Sequence, residues 1–144
     1  MLEQLNINGP RFILFDQINY VDKELPNGWK FPLMAKAARG GYDGKGTRVI
    51  NTFDDLEFIA SLVDRDKWLL ERWVSYEMEL AIVCSRDFDG HIRFHPLVQT
   101  HQHKQVCDWV LAPAPVKHQV EVMAINVASS ILTNLNYVGV LAIE

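Results

Sequence analysis

The sequence predicts an α+β domain built largely from antiparallel sheets. Strand-like runs fall into two groups, each accompanied by one helical stretch. The best-marked strand pair is joined by the tight turn Asp89-Gly90. Helical spacing of apolar residues occurs in two places, residues 52–63 and 117–136.

Residues 1–10 read as a helix end or a connector that closes at Asn8-Gly9-Pro10. Arg11 to Phe15 can form a short strand, and residues 16–30 are polar with a turn at Pro26-Asn27-Gly28. Phe31 to Ala38 is a strand with Lys36 set between apolar neighbours, where a lysine must reach water or meet an anion. Arg48-Val49-Ile50 is the next strand. Thr52 and Asp55 then have the spacing of a capping box, with Asp54 and Asp55 in the favourable first turn. Phe53, Leu56, Ile59, Leu62 and Val63 give that helix one buried face, and Asp64-Arg65-Asp66 ends it.

Strands follow at Trp68 to Val74, at Glu77 to Ser85, at His91 to Thr100 and at Gln105 to Ala112, the last stopped by Pro113 and Pro115. Lys117 to Asn136 is a long amphipathic helix. Its expected core stripe is Val120, Met123, Ala124, Val127, Ala128, Ile131 and Leu135. Val138 to Ile143 reads as a buried strand that stops at Glu144, so the chain is expected to be part of a longer domain.

A chain of 144 residues suffices for one domain, which would bury about 70% of its unfolded surface. The net charge of −4 argues against a general nucleic-acid binder. No apolar run approaches the ~18 residues of a membrane span, and Met1-Leu2-Glu3-Gln4 opens no secretory signal. Cys84 and Cys107 lack metal-type spacing and read as reduced, buried residues of a cytosolic protein, although a disulfide between them stays open.

The most informative stretch is Gly40-Gly41-Tyr42-Asp43-Gly44-Lys45-Gly46-Thr47, between two strands. Asp43-Gly44 alone would serve a plain hairpin turn. The further glycines, which admit a ligand close to the backbone, and the Lys45 charge favour a flap over phosphates. The loop matches neither a Walker A loop, because Arg39 and Gly46 stand where that pattern needs Gly and Ser or Thr, nor a dinucleotide fingerprint.

Three carboxylates could serve a nucleotide there. Glu71 lies in an apolar strand, Glu79 begins the next one, and Glu144 ends the chain. Adenine needs an apolar slot and backbone hydrogen-bonding groups, which Trp73-Val74-Ser75-Tyr76 can supply, and the ribose needs an acceptor such as Glu79. Glu144 suits Mg²⁺, which takes one or two carboxylates beside phosphate oxygens. Plain alternatives stay open: Glu71 and Glu79 facing water or pairing with Arg72, and Glu144 as a surface residue. Histidines 91, 95, 101 and 103 cluster, and His101-x-His103 has a metal-compatible spacing, but nothing supplies further ligands. No nucleophilic triad is present.

Ala37 to Gly46, Leu70-Glu71-Arg72-Trp73-Val74 with Glu79, and Tyr137 to Glu144 together resemble the ATP-grasp domain of the 5-(carboxyamino)imidazole ribonucleotide synthases, from about residue 5 onward. The resemblance implies an ATP-grasp fold. It also implies a ligase that uses ATP and Mg²⁺ to activate bicarbonate and carboxylate the exocyclic amine of aminoimidazole ribonucleotide in purine synthesis. Residues of about 1–72 would form the small lobe with its flap, and about 73–144 the start of the large lobe. Carried over, Lys36 contacts ATP phosphates, and Gly41, Tyr42, Asp43, Gly44, Lys45, Gly46 and Thr47 close over them. Tyr42 and Asp43 also lie near the ribonucleotide. Glu71, Arg72, Trp73 and Val74 form the adenine hinge, Glu79 binds the ribose, and Glu144 is the first of two Mg²⁺ carboxylates. The intact enzyme would be a cytoplasmic homodimer.

The family's N-terminal substrate domain and everything after Glu144 lie outside this sequence, so carboxylation by this stretch alone is not expected. A histidine that meets ATP in many members falls at Gln102 here. Another ATP-grasp carboxylate–amine ligase, such as the formate-using glycinamide ribonucleotide transformylase or a biotin carboxylase, is the neighbouring reading, and Tyr42-Asp43 speaks against both. A non-catalytic nucleotide-binding fragment is the third.

Overall fold

The computed structural model describes residues 2–39, 46–62, 67–104 and 106–144. The chain forms two compact units: Gly9–Ser75, and Met1–Asn8 together with Tyr76–Glu144.

In the unit Gly9–Ser75 the strands are β1 (Phe12–Leu14), β2 (Leu33–Ala37), β3 (Thr47–Ile50) and β4 (Trp68–Arg72). They form one antiparallel sheet in the order β1-β4-β2-β3. Side chains alternate between faces along a strand. Leu33 and Ala35 of β2, Ile50 of β3 and Leu70 of β4 are fully buried with Leu56 and Ile59 of helix α1 (Phe53–Ala60). Phe15 and Ile18 complete this core. The same alternation sends Met34 and Lys36, with Leu69 and Glu71, to the other face.

Helix α1 starts as its local sequence dictates. Thr52 is the N-cap, its hydroxyl accepting from the Asp55 N–H, while the Asp55 carboxylate accepts from the N–H groups of Asn51 and Thr52. Those bonds, the Asn51 one first, then that of Thr52 and the Arg48 charge, hold the Asp55 carboxyl below its ordinary value against an opposing contribution from burial. The helix ends three residues before Val63, earlier than its spacing predicts. Ser61 caps it, and its hydroxyl donates to the Phe58 carbonyl, competing with a further helical turn.

The other unit holds β5 (Glu79–Arg86), β6 (Ile92–Phe94), β7 (Val98–His103), β8 (Val106–Leu111), helix α2 (His118–Asn134) and β9 (Gly139–Ile143). The strand expected over His91 to Thr100 is thus two strands. They pair in turn with the two halves of β5, Cys84 opposite Phe94 and Ala81 opposite Val98. Pro96 lies at the break, where it has no N–H to give to a ladder. Strand β9 takes the free edge of β5, with Ile143 opposite Ile82 and Gly139 opposite Arg86.

Ile82, Cys84, Leu97, Ala128 and Leu132 form this unit's core, with Ala124, Ile125, Leu141 and Ile143 packed against it. The buried stripe of α2 is therefore rotated from the expected one: Ile125 and Leu132 join it, whereas Met123 and Leu135 are exposed. The helix carries apolar residues on more than one side, so spacing alone does not select the inward face. Strand β9, expected to be buried, is only partly buried on one face and exposed on the other, Val140 being 67% exposed. Asn136 closes α2 in the left-handed conformation that Asn tolerates, and Arg86 donates to its side chain and to the Tyr137 carbonyl. Both cysteines are free. Cys84 is buried, which raises its thiol pKa, but Cys107 is exposed, contrary to the sequence reading, because all of β8 is exposed.

Candidate functional site

β2 and β3 are antiparallel neighbours, Lys36 lying opposite Thr47, so the glycine-rich stretch is the connection of a hairpin. Gly41, Tyr42, Asp43, Gly44 and Lys45 lie outside the described residues. Gly46 closes the hairpin base: its carbonyl accepts from the Ala37 N–H at 2.7 Å, and its φ of 95° is one that favours glycine.

Lys36 sits at this base, on the face away from the core. Its ammonium is 2.6 Å from a Glu71 carboxylate oxygen. The two strands explain the meeting, since Glu71 is opposite Met34, one step diagonal to Lys36. Of the two outcomes open to Lys36, water or an anion, the structure gives it an anion, the carboxylate assigned to the hinge. Within its own unit Arg72 does not pair with Glu71, one of the plain alternatives for that carboxylate. Its guanidinium donates to the Gly28 carbonyl at 2.7 Å and its N–H to the Arg11 carbonyl. Trp73 and Val74 follow the end of β4 and are exposed by 44% and 51%.

In the other unit Glu79 opens β5, and Glu144 follows β9. Because the two strands run antiparallel with Ile82 opposite Ile143, both carboxylates stand at the same end of the pair. Glu144 is exposed, and a carboxylate of this kind supplies the hard oxygen that Mg²⁺ prefers, so the residue fits that ion. The Tyr76 hydroxyl donates to Glu79 Oε1 at 3.0 Å. That contact was not read from the sequence, although the Tyr-x-x-Glu spacing at the start of a strand is its signal.

Asp87, Asp89 and His91 bring possible ligand atoms within 4.8 Å of one another, the one such group among the described residues. They occupy the hairpin turn at the opposite end of β5 from Glu79. Their hydrogen bonds are turn bonds: Asp87 accepts from the His91 N–H at 2.8 Å, the first cause of its lowered pKa. The other histidines do not join them. His101 stacks on Trp109, ring centroids 5.0 Å apart, and a bulge shifts the register between His101 and Gln102. No helix among the described residues is long and apolar enough to cross a membrane.

The family model of the ATP-grasp domain matches residues 1–144. The N5-carboxyaminoimidazole ribonucleotide synthase of Synechocystis sp. is 39% identical over 143 residues, which cover 99% of this chain and 35% of that protein. This chain therefore spans about a third of that relative's length. Among solved structures, N5-carboxyaminoimidazole synthetase from Staphylococcus aureus complexed with ADP superposes with a TM-score of 0.82 at 23% identity, over 98% of this chain and 37% of that one. The N5-carboxyaminoimidazole synthase from Aspergillus clavatus, in complex with ADP and 5-aminoimidazole ribonucleotide, gives 0.78 at 21% identity over 98% and 36%.

Proposed function

Since this chain belongs to the ATP-grasp family, matched from end to end, we propose that it is the ATP-binding part of a ligase. The whole enzyme uses ATP to carboxylate aminoimidazole ribonucleotide with bicarbonate in purine biosynthesis. The observation that carries this reading is the string Gly40-Gly41-Tyr42-Asp43-Gly44-Lys45-Gly46 on a hairpin connection with Lys36 at its base. ATP, held with Mg²⁺, supplies the phosphoryl group, and the chain's task is positioning and charge neutralisation.

Lys36 carries that task in the unit Gly9–Ser75. Glu71 holds its ammonium in place, and an arriving phosphate replaces or shares that partner. Gly41 to Thr47 cover the phosphates with backbone N–H groups and Lys45, and Tyr42 and Asp43 reach the ribonucleotide. The backbone of Glu71, Arg72, Trp73 and Val74 meets the adenine edge. Glu79 accepts the ribose hydroxyls, and Glu144 gives Mg²⁺ one carboxylate. The whole enzyme works as a cytoplasmic homodimer.

Titration calorimetry of the 144-residue chain with Mg-ATP tests the reading. Saturable binding is expected, weakened about tenfold or more in Lys36→Ala and about tenfold in Glu79→Ala, the range for a lost hydrogen bond to a charged group. Absence of binding by a chain with native circular dichroism, or binding that ignores both substitutions, contradicts it.

A further inference from the structure

Tyr76 is 65% exposed, yet its hydroxyl has a fixed partner within its own segment. It stands three residues before Glu79, outside the strand, and its hydroxyl donates to Glu79 Oε1 at 3.0 Å. The acceptance of that proton by Glu79 is the first cause of a raised Tyr76 pKa, followed by burial and by the carboxylate's charge. Across the sheet Glu79 lies opposite Thr100, a neutral neighbour. Tyr76 is thus the group that fixes one oxygen of a carboxylate whose register partner supplies no charge.

We propose that Tyr76 is a positioning residue for the nucleotide ribose: its hydroxyl orients the Glu79 carboxylate to accept the 2′- and 3′-hydroxyls. The proposal rests on the reading of Glu79 given above. A glutamate at the start of a strand has three side-chain torsions to immobilise when it binds a diol. Holding Oε1 beforehand removes part of that loss from the binding step. Capacity is not exhausted, since an ionised carboxylate offers about four lone-pair sites and the tyrosine takes one. Two ribose hydroxyls can still be accepted, one on each oxygen. Tyrosine suits the role because its rigid ring places the hydroxyl with only two torsions.

The test compares Mg-ATP with Mg-2′,3′-dideoxy-ATP on the unmodified chain, Tyr76→Phe, Glu79→Ala and the double variant. Tyr76→Phe removes one oxygen and keeps the ring, so folding is preserved. The unmodified chain is expected to prefer ATP by about tenfold. Tyr76→Phe should lose about threefold to tenfold for ATP and nothing for the dideoxy nucleotide. Added to Glu79→Ala, it should have no further effect. Undiminished discrimination in Tyr76→Phe, or an equal loss for both nucleotides, overturns the positioning role and leaves Glu79 as the ribose acceptor. Equal affinity of the unmodified chain for both nucleotides overturns the Glu79 assignment and the proposal with it. Failure to bind either nucleotide overturns the wider reading.

Discussion

Leu70 of β4 and Val110 of β8 are both apolar strand residues, yet Leu70 is fully buried and Val110 is 54% exposed. The difference extends to their surroundings. β4 is an interior strand of its sheet, and its unit closes Leu33, Ile50, Leu56 and Ile59 around Leu70. β8 is an edge strand exposed along its whole length, with Val106, Trp109 and Leu111 also open to solvent. An apolar residue in a strand is therefore no guide to stability without its position in the sheet. In Gly9–Ser75 apolar content supplies the core, whereas in β8 it supplies an adhesive edge.

Truncating the buried residue has the largest expected effect. Leu70→Ala should destabilise the chain by about 2–5 kcal/mol, because it leaves a cavity in a closed core. Urea denaturation followed by circular dichroism measures it, and a loss comparable to that of a surface substitution would remove the distinction.

A smaller effect tests the rim of the same core. Thr52→Ala should cost about 1 kcal/mol through the lost helix cap, and Thr52→Ser should restore most of it. The cap also sets an acid response. The folded Asp55 carboxyl lies below its ordinary value of 3.8. Its contribution is complete above that value and disappears as the pH falls through the lower, folded one. Asp55→Asn should flatten the stability profile in that acid window and leave its slope near neutral pH unchanged.

The smallest stability change belongs to the exposed edge. Val110→Lys should alter stability by no more than about 0.5 kcal/mol while raising the concentration at which the chain stays monodisperse in light scattering. A large loss of stability would mean that β8 belongs to a core after all.

Much of this was legible because it is local. The Thr52–Asp55 cap is complete within four residues, and the Asp89-Gly90 turn within two. The glycine string announced a hairpin connection because its flanks are strands. What was not legible depends on partners far along the chain. Lys36 had to reach water or meet an anion, and only the β2–β4 register identifies that anion as Glu71, 35 positions along the chain. Arg72 finds Gly28 across a comparable gap. The inward face of α2 was legible in part: Ala124, Ala128 and Ile131 were placed inward correctly, but Met123 was preferred to Leu132, and only the sheet the helix packs on decides between two apolar residues. Cys107 was placed inside on composition, although an edge strand puts it outside.

The two units also divide the site residues, Lys36 and Glu71 in one and Glu79 and Glu144 in the other. The most direct test of the central claim is therefore a backbone amide spectrum of the ¹⁵N-labelled chain titrated with Mg-ATP. Saturable shifts are expected at Lys36, at Gly41 to Thr47, at Glu71 to Val74, at Glu79 and, in the presence of Mg²⁺, at Glu144. Shifts confined to the Asp87–His91 turn or to β8, or none at all in a well-dispersed spectrum, would contradict it.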